Sequence, residues 1–196
     1  MAENNVLYIG DNDREHIDRI IGGDERAFNE LIKKHYANVY SLAYRMLNDA
    51  DDANETAQDT FVKIYHTLSN FRGEASIKTW IMRVTLRISL NKRRDRSRSA
   101  WERLGLHKNQ QPKSSFSHLQ SPEAKLISDE VSSQVRNLID ALPEDMRQVI
   151  ILNSFEDLSY SEIGQILRIP MGTVSSRLYT ARKLLSAQLK ESNILP

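Results

Sequence analysis

Cysteine is missing from all 196 residues, which excludes disulfides and thiolate-bound metals and agrees with a reducing compartment. No apolar run approaches the roughly 18 to 20 residues of a membrane span. The N-terminal MAENNVLYIGDNDREH is acidic where a secretory signal would be basic and then apolar. These two absences predict a cytoplasmic chain with no direct membrane insertion. Stretches that alternate apolar and polar residues at strand length are also lacking, whereas apolar positions at helical spacing dominate. The expected fold class is therefore all-α. There is no glycine-rich phosphate loop and no HExxH run, and the five histidines, at 16, 35, 66, 107 and 118, have no ligand-like spacing. No catalytic residue, cofactor or metal site is expected, and the chain does not read as an enzyme.

What is present is charge, ordinary in sum and uneven in position. The formal net charge is only +1, which argues against a protein that coats nucleic acid through charge alone. Acids crowd residues 49 to 59 as Asp49, Asp51, Asp52, Glu55 and Asp59 with no base among them. Arg83, Arg87, Lys92, Arg93, Arg94, Arg96 and Arg98 then follow with only Asp95 against them. Two surfaces of opposite sign imply two different partners.

Helical periodicity divides the chain. Asp24 is a candidate cap for a helix carrying Phe28, Leu31, Ile32, Val39, Leu42, Ala43 and Met46 on one side. A second helix near 52 to 69 offers Ala53, Ala57, Phe61, Ile64 and Leu68 and leaves its carboxylates to water. NFRGEAS is a turn in which Gly73 is free to take positive φ, and Ser76 caps a third helix over 77 to about 94 with Trp80 in its apolar stripe. Residues 95 to 127, rich in Ser, Gln and bases, read as a flexible linker, with Trp101 and Phe116 open to either docking or packing. Periodicity returns from 128. Pro143 begins a helix whose first turn holds Glu144 and Asp145, and Ser159 to Glu162 forms a capping box. That short helix stops at IPMG, where Pro170 cannot continue it and Gly172 permits a sharp turn, and Thr173 caps the last helix. The expected layout is an extension at 1–19, a module at 20–94, a linker at 95–127, a second module at 128–190 and a tail at 191–196.

The last helix has an unusual outward face. No Asp or Glu occurs between Gln165 and Lys190. On a 100° wheel Val174, Leu178, Ala181 and Leu185 share one narrow stripe, opposite Ser176, Tyr179, Thr180 and Lys183, with Arg177 and Arg182 flanking and Ser175 near the edge. Medium-sized donors and acceptors, an aromatic ring and flanking bases are what a helix needs in a DNA major groove. Helix, tight turn and helix in succession make a helix-turn-helix reading.

The combination resembles a specific family. LPEDMRQVIILNSFEDLSYSEIGQILRIPMGTVSSRLYTARKLL is similar to region 4 of bacterial RNA polymerase sigma factors of the extracytoplasmic-function (ECF) group. ERAFNELIKKHYANVYSLAYRML, DANETAQDTFVKIYHTLSNFRG and TWIMRV resemble their region 2. Both matches stand in the right order and cover about residues 20 to 190. The resemblance implies a transcription initiation factor for a stress or envelope response, with core RNA polymerase and promoter DNA as partners. Asp52, Glu55, Gln58 and Asp59 fall where the family docks on the clamp coiled coil of the β′ subunit. Phe71, Arg72, Ser76 and Thr79, then Arg83, Arg87, Asn91 and Arg94, fall where it melts the −10 element and holds an extruded base. Arg87 stands where the family often has Asn, so a base-reading role does not carry over to that position. Thr173, Ser175, Ser176, Arg177, Tyr179, Thr180, Arg182 and Lys183 fall on the −35 contacts. The family also implies a cognate anti-sigma factor, often membrane-bound, and a nucleoid-associated cytoplasmic location. A freestanding helix-turn-helix regulator is the competing reading, but it leaves the acidic helix and the 71 to 94 block without a role.

Overall fold

The computed structural model describes residues 11–73, 75–103 and 126–191. The greater part of the expected linker with Phe116, the first ten residues of the extension, and 192–196 of the tail lie outside the described residues. Among the described residues the chain is all-α. In order, α1 spans Asp11–Ile21, α2 Glu25–Leu47, α3 Ala50–Thr67, a 3₁₀ turn Leu68–Asn70, α4 Ile77–Arg103, α5 Leu126–Ala141, α6 Glu144–Ser154, α7 Tyr160–Leu167 and α8 Met171–Glu191. By contact, one unit comprises the chain up to Arg94 together with Ser161–Arg168. The other comprises Asp95–Tyr160 and the chain from Ile169 onward.

The first unit is organised by local caps and one apolar cluster. Asp24 caps α2 as expected, its carboxylate accepting from the Arg26 and Ala27 amides at 3.0 and 3.1 Å. Arg19 grips the other carboxylate oxygen at 2.7 and 3.0 Å, and its hydrogen bond, followed by that of the Ala27 amide, holds the Asp24 carboxyl below its usual range. Asn48 in the left-handed region closes α2, and Asp49 caps α3 through the Asp52 amide. The cluster joins Ile17 and Ile20 of α1, Ala27, Leu31 and Val39 of α2, Ala57, Phe61 and Ile64 of α3, then Leu68, Ile77 and Ile81. Each fully buried branched side chain of this kind contributes about 1.5–3 kcal/mol. Trp80 packs half-buried against the cluster with Phe71, their ring centroids 5.3 Å apart, as its place in the apolar stripe predicts. Helix α1 crosses the expected boundary between the extension at 1–19 and the module at 20–94, and Ile17 and Ile20 of its inner face have helical spacing.

The length of α4 differs from expectation. Helix α4 runs on to Arg103 instead of ending near 94, because DRSRSAWER contains no glycine or proline to break it. Trp101 is therefore helical. Gly73 takes φ 72° as the turn requires.

In the second unit, α6 and α8 pack together, with α5 against both. Ile139, Leu142, Val149, Leu152, Val174, Leu178 and Ala181 are buried, so the predicted stripe of α8 is its inward face. Arg147 is also buried and donates from Nη1 to the Asp140 carbonyl at 3.1 Å, with the Asp140 carboxylate at 3.4 Å, tying α6 to the end of α5. Asn153 secures the loop after α6 by donating to the Leu158 carbonyl at 3.0 Å.

The start of α8 corrects the sequence reading. The left-handed residue of the turn is Arg168, at φ 56°, whereas Gly172 is helical. Nor does Thr173 cap the helix. The Pro170 carbonyl receives the Thr173 and Val174 amides at 2.9 and 3.2 Å, so α8 begins at Met171 and Thr173 is already inside the first turn. Proline suits this boundary, because its missing N–H would have had no helical partner there.

Candidate nucleic-acid and docking surfaces

On α8 the outward residues are Ser175, Ser176, Tyr179, Arg182 and Lys183, all exposed, with Thr180 half-buried beside them. Tyr179 is 72% exposed, the largest value among the exposed large hydrophobic side chains of the described residues. Ser176 and Thr180 donate their hydroxyl protons back to the helix, at 3.1 Å to the Thr173 carbonyl and 3.0 Å to the Ser176 carbonyl. Their oxygens are thereby oriented as acceptors toward the outer face. The flanking arginines are more constrained than the wheel suggested. Arg177 is half-buried and pairs with Asp145 of α6 at 3.2 Å, and Arg182 donates to Asn153 at 2.8 Å. Arg177 is thus a strut between α6 and α8, and its expected role as a phosphate contact does not suit this geometry. Arg182 holds its end of the helix while remaining exposed, which leaves Lys183 as the freely projecting base of the set.

The basic block of α4 splits by helical phase. Arg87, Asn91 and Arg94 are exposed at i, i+4 and i+7 and form one outward ridge, with Asn91 accepting from Arg94 at 2.6 Å. Arg83, Lys92 and Arg93 turn elsewhere. Arg83 donates to the Gln165 carbonyl at 2.6 Å, and Arg93 to the Met46 carbonyl at the C-terminal end of α2 at 2.9 Å, a favourable place for a cation. Arg83 therefore leaves the expected basic wall, because its guanidinium is part-buried and engaged. In the preceding loop Arg72 is exposed and Phe71 half-buried. Ser76 caps α4 by accepting from the Thr79 amide at 3.1 Å, and the two hydroxyls lie 2.8 Å apart. Thr79 is only 2% exposed, so it serves as the cap's partner and drops out as a strand contact.

The acidic helix divides in the same way. Gln58 and Asp59 are exposed and point away from the core. The Asp52 side chain is 14% exposed and lies 3.3 Å from the Lys92 ammonium, which also meets Glu55 at 2.6 Å. Burial would lower the Lys92 pKa, but hydrogen bonding to Glu55 and the charge of Asp52 prevail, and it ends above its usual value. Asp52 is accordingly a strut between α3 and α4, and the outward negative charge of this face resides on Asp59 and the exposed Glu55, with neutral Gln58 beside them. Beyond Asp59 the same helix exposes Val62 and Tyr65, an apolar half that charge alone does not reveal. Their i, i+3 spacing was the available signal. Among the described residues no cluster of His, Asp and Glu suited to a metal is present, and no helix is long and apolar enough to cross a membrane.

An outward polar ridge on α8, an exposed basic ridge on α4 and an acidic face on α3 are the surfaces this geometry leaves open, and comparison with known proteins gives the family. Sigma-70 region 2 matches residues 31–99 and sigma-70 region 4 matches residues 132–185. The chain belongs to the ECF sigma factors. It is 32% identical over 181 residues to the RNA polymerase sigma-H factor of Pseudomonas aeruginosa, covering 91% of this chain and 94% of that one. It is 30% identical to the ECF RNA polymerase sigma-E factor of Escherichia coli K12 over the same shares of the two chains. In fold it resembles CnrH, solved in complex with the cytosolic domain of CnrY, with a TM-score of 0.67 at 22% identity over 92% of this chain and 99% of that one. It also resembles the sigma factor RpoE of Bartonella quintana, solved with the anti-sigma factor NepR, with a TM-score of 0.63 at 21% identity over 83% and 96%.

Proposed function

We propose that this alternative sigma factor binds core RNA polymerase through the exposed face of α3 and directs the enzyme to promoters that it reads and opens. Ser175, Ser176, Tyr179, Thr180 and Lys183 of α8 read the −35 element from the major groove, with Arg182 close by. The loop around Phe71 and Arg72, continued by Arg87, Asn91 and Arg94 of α4, receives the melted −10 strand. Asp59, Gln58 and Glu55 meet basic side chains on the β′ clamp coiled coil, where charge complementarity governs docking rate and register. The protein performs no chemistry of its own and works in the cytoplasm. A cognate anti-sigma factor, anchored at the membrane, holds it inactive until an envelope or other stress signal arrives. The RpoE–NepR pair supplies the precedent for such a partner.

One observation carries this reading: α8 presents exposed Tyr179 among acceptor-oriented hydroxyls on a helix with no acid between Gln165 and Lys190. The test separates the two surfaces. Tyr179→Ala is expected to lower promoter-specific transcription about tenfold, within the range of a lost base contact, while binding to core polymerase is unchanged. Asp59→Lys is expected to weaken core binding instead. If both variants transcribe like the wild type, the assignment of both faces is wrong.

A further inference from the structure

Two neighbouring residues at the start of α8 have properties that the chain's own packing does not explain. Gly172 is helical and exposed, and a Cβ added there would meet nothing within 4 Å. Neither backbone conformation nor internal space calls for glycine, which is the poorest helix former after proline. Beside it Met171 extends a long apolar side chain that is 61% exposed. A missing side chain with open space around it fits close approach by something outside the chain. A long apolar one next to it fits an apolar feature on that same body.

We infer that the first turn of α8 is a close-approach contact with duplex DNA, in which Gly172 gives clearance to the duplex and Met171 lies against a thymine methyl group. The inference rests on the reading of α8 as the −35 helix. Met171, Ser175 and Tyr179 follow one another at i, i+4 and i+8, so they form one ridge. The N-terminal residues of a recognition helix are the ones that reach base edges. On those edges the one apolar group is the C5-methyl of thymine, and the flexible, polarisable thioether of methionine adapts readily to it. Duplex DNA is favoured over a protein partner by charge, since the helix has no acid before its final residue, Glu191, and carries Arg182 and Lys183 on its exposed surface.

The test uses the full chain assembled with core polymerase, on a promoter fragment defined by run-off initiation that depends on this protein. Gly172→Ala should raise the Tm of the free protein by about 2–4 °C, because alanine is the better helix former, and yet weaken promoter binding about fivefold or more. Opposite signs in the two readouts are what an external clearance predicts. Replacing −35 thymines one at a time by deoxyuridine removes single methyl groups. At one position this should weaken wild-type binding about three- to fourfold and leave Met171→Ala unaffected. A lower Tm or undiminished promoter binding in Gly172→Ala overturns the clearance, and additive losses at every thymine overturn the Met171 contact. Tyr179→Ala, run in parallel, tells these failures apart from a failure of the reading itself. If that variant also binds as the wild type does, or no promoter answers to this protein, the reading of α8 falls and the inference with it.

Discussion

His35 shows how much one side chain can set. It is 5% exposed on the inner face of α2, and burial, reinforced by Lys34 and Lys78 and opposed by Asp13, pushes its pKa down to about 4. The unfolded chain, with an ordinary histidine pKa near 6.5, binds the proton more readily than the folded one. The contribution is therefore intact above that value and is lost as pH falls toward 4, on the order of 2 kcal/mol by about pH 5. Urea titrations should show the midpoint falling from pH 7.5 to 5 in the wild type and much less in His35→Leu; equal slopes would remove His35 as the cause. Its place four residues after Leu31 and four before Val39, both in the apolar stripe of α2, is the sequence signal of this burial; the polarity of the ring argued the other way. Lys92 is a different case. In the sequence it is one base in a positively charged run, and only the fold reveals its pairing with Asp52 and Glu55.

Among the elements, α8 was legible from the sequence and its boundary was not. Four apolar residues at helical spacing define the buried stripe, since burial of one helical face follows from periodicity alone. Its first residue depends on a backbone bond from Pro170, which side-chain patterns do not encode, so the cap fell on Thr173 and the turn on Gly172 instead of Arg168. The tie between α5 and α6 was equally hidden. Arg147, in the first turns of α6, is buried against Asp140. Arg147→Met keeps the volume and removes the tie, and we expect a loss of about 2–4 kcal/mol. Faster hydrogen exchange in α5 and α6 would register it, with the first unit unchanged. Exchange rates equal to the wild type would mean that the arginine contributes no net stability.

For the molecule as a whole, segregated charge was the most informative feature of the sequence, and the structure refines it. Each charged block contains struts that hold helices together and outward residues free for a partner: Lys92, Arg93 and Asp52 on one side of that division, Arg87, Arg94 and Asp59 on the other. A module with so few free bases binds DNA weakly by itself at cellular salt. On the proposed reading, joining it to a second DNA-reading module and to polymerase raises its effective concentration at a promoter. The most direct measurement is run-off transcription with purified core polymerase, with and without this protein, on promoter fragments from its own genome. Initiation at a defined start site only when the protein is present is the predicted result. Salt-sensitive binding to duplex DNA that needs no polymerase and yields no transcript would contradict the account and favour a freestanding regulator.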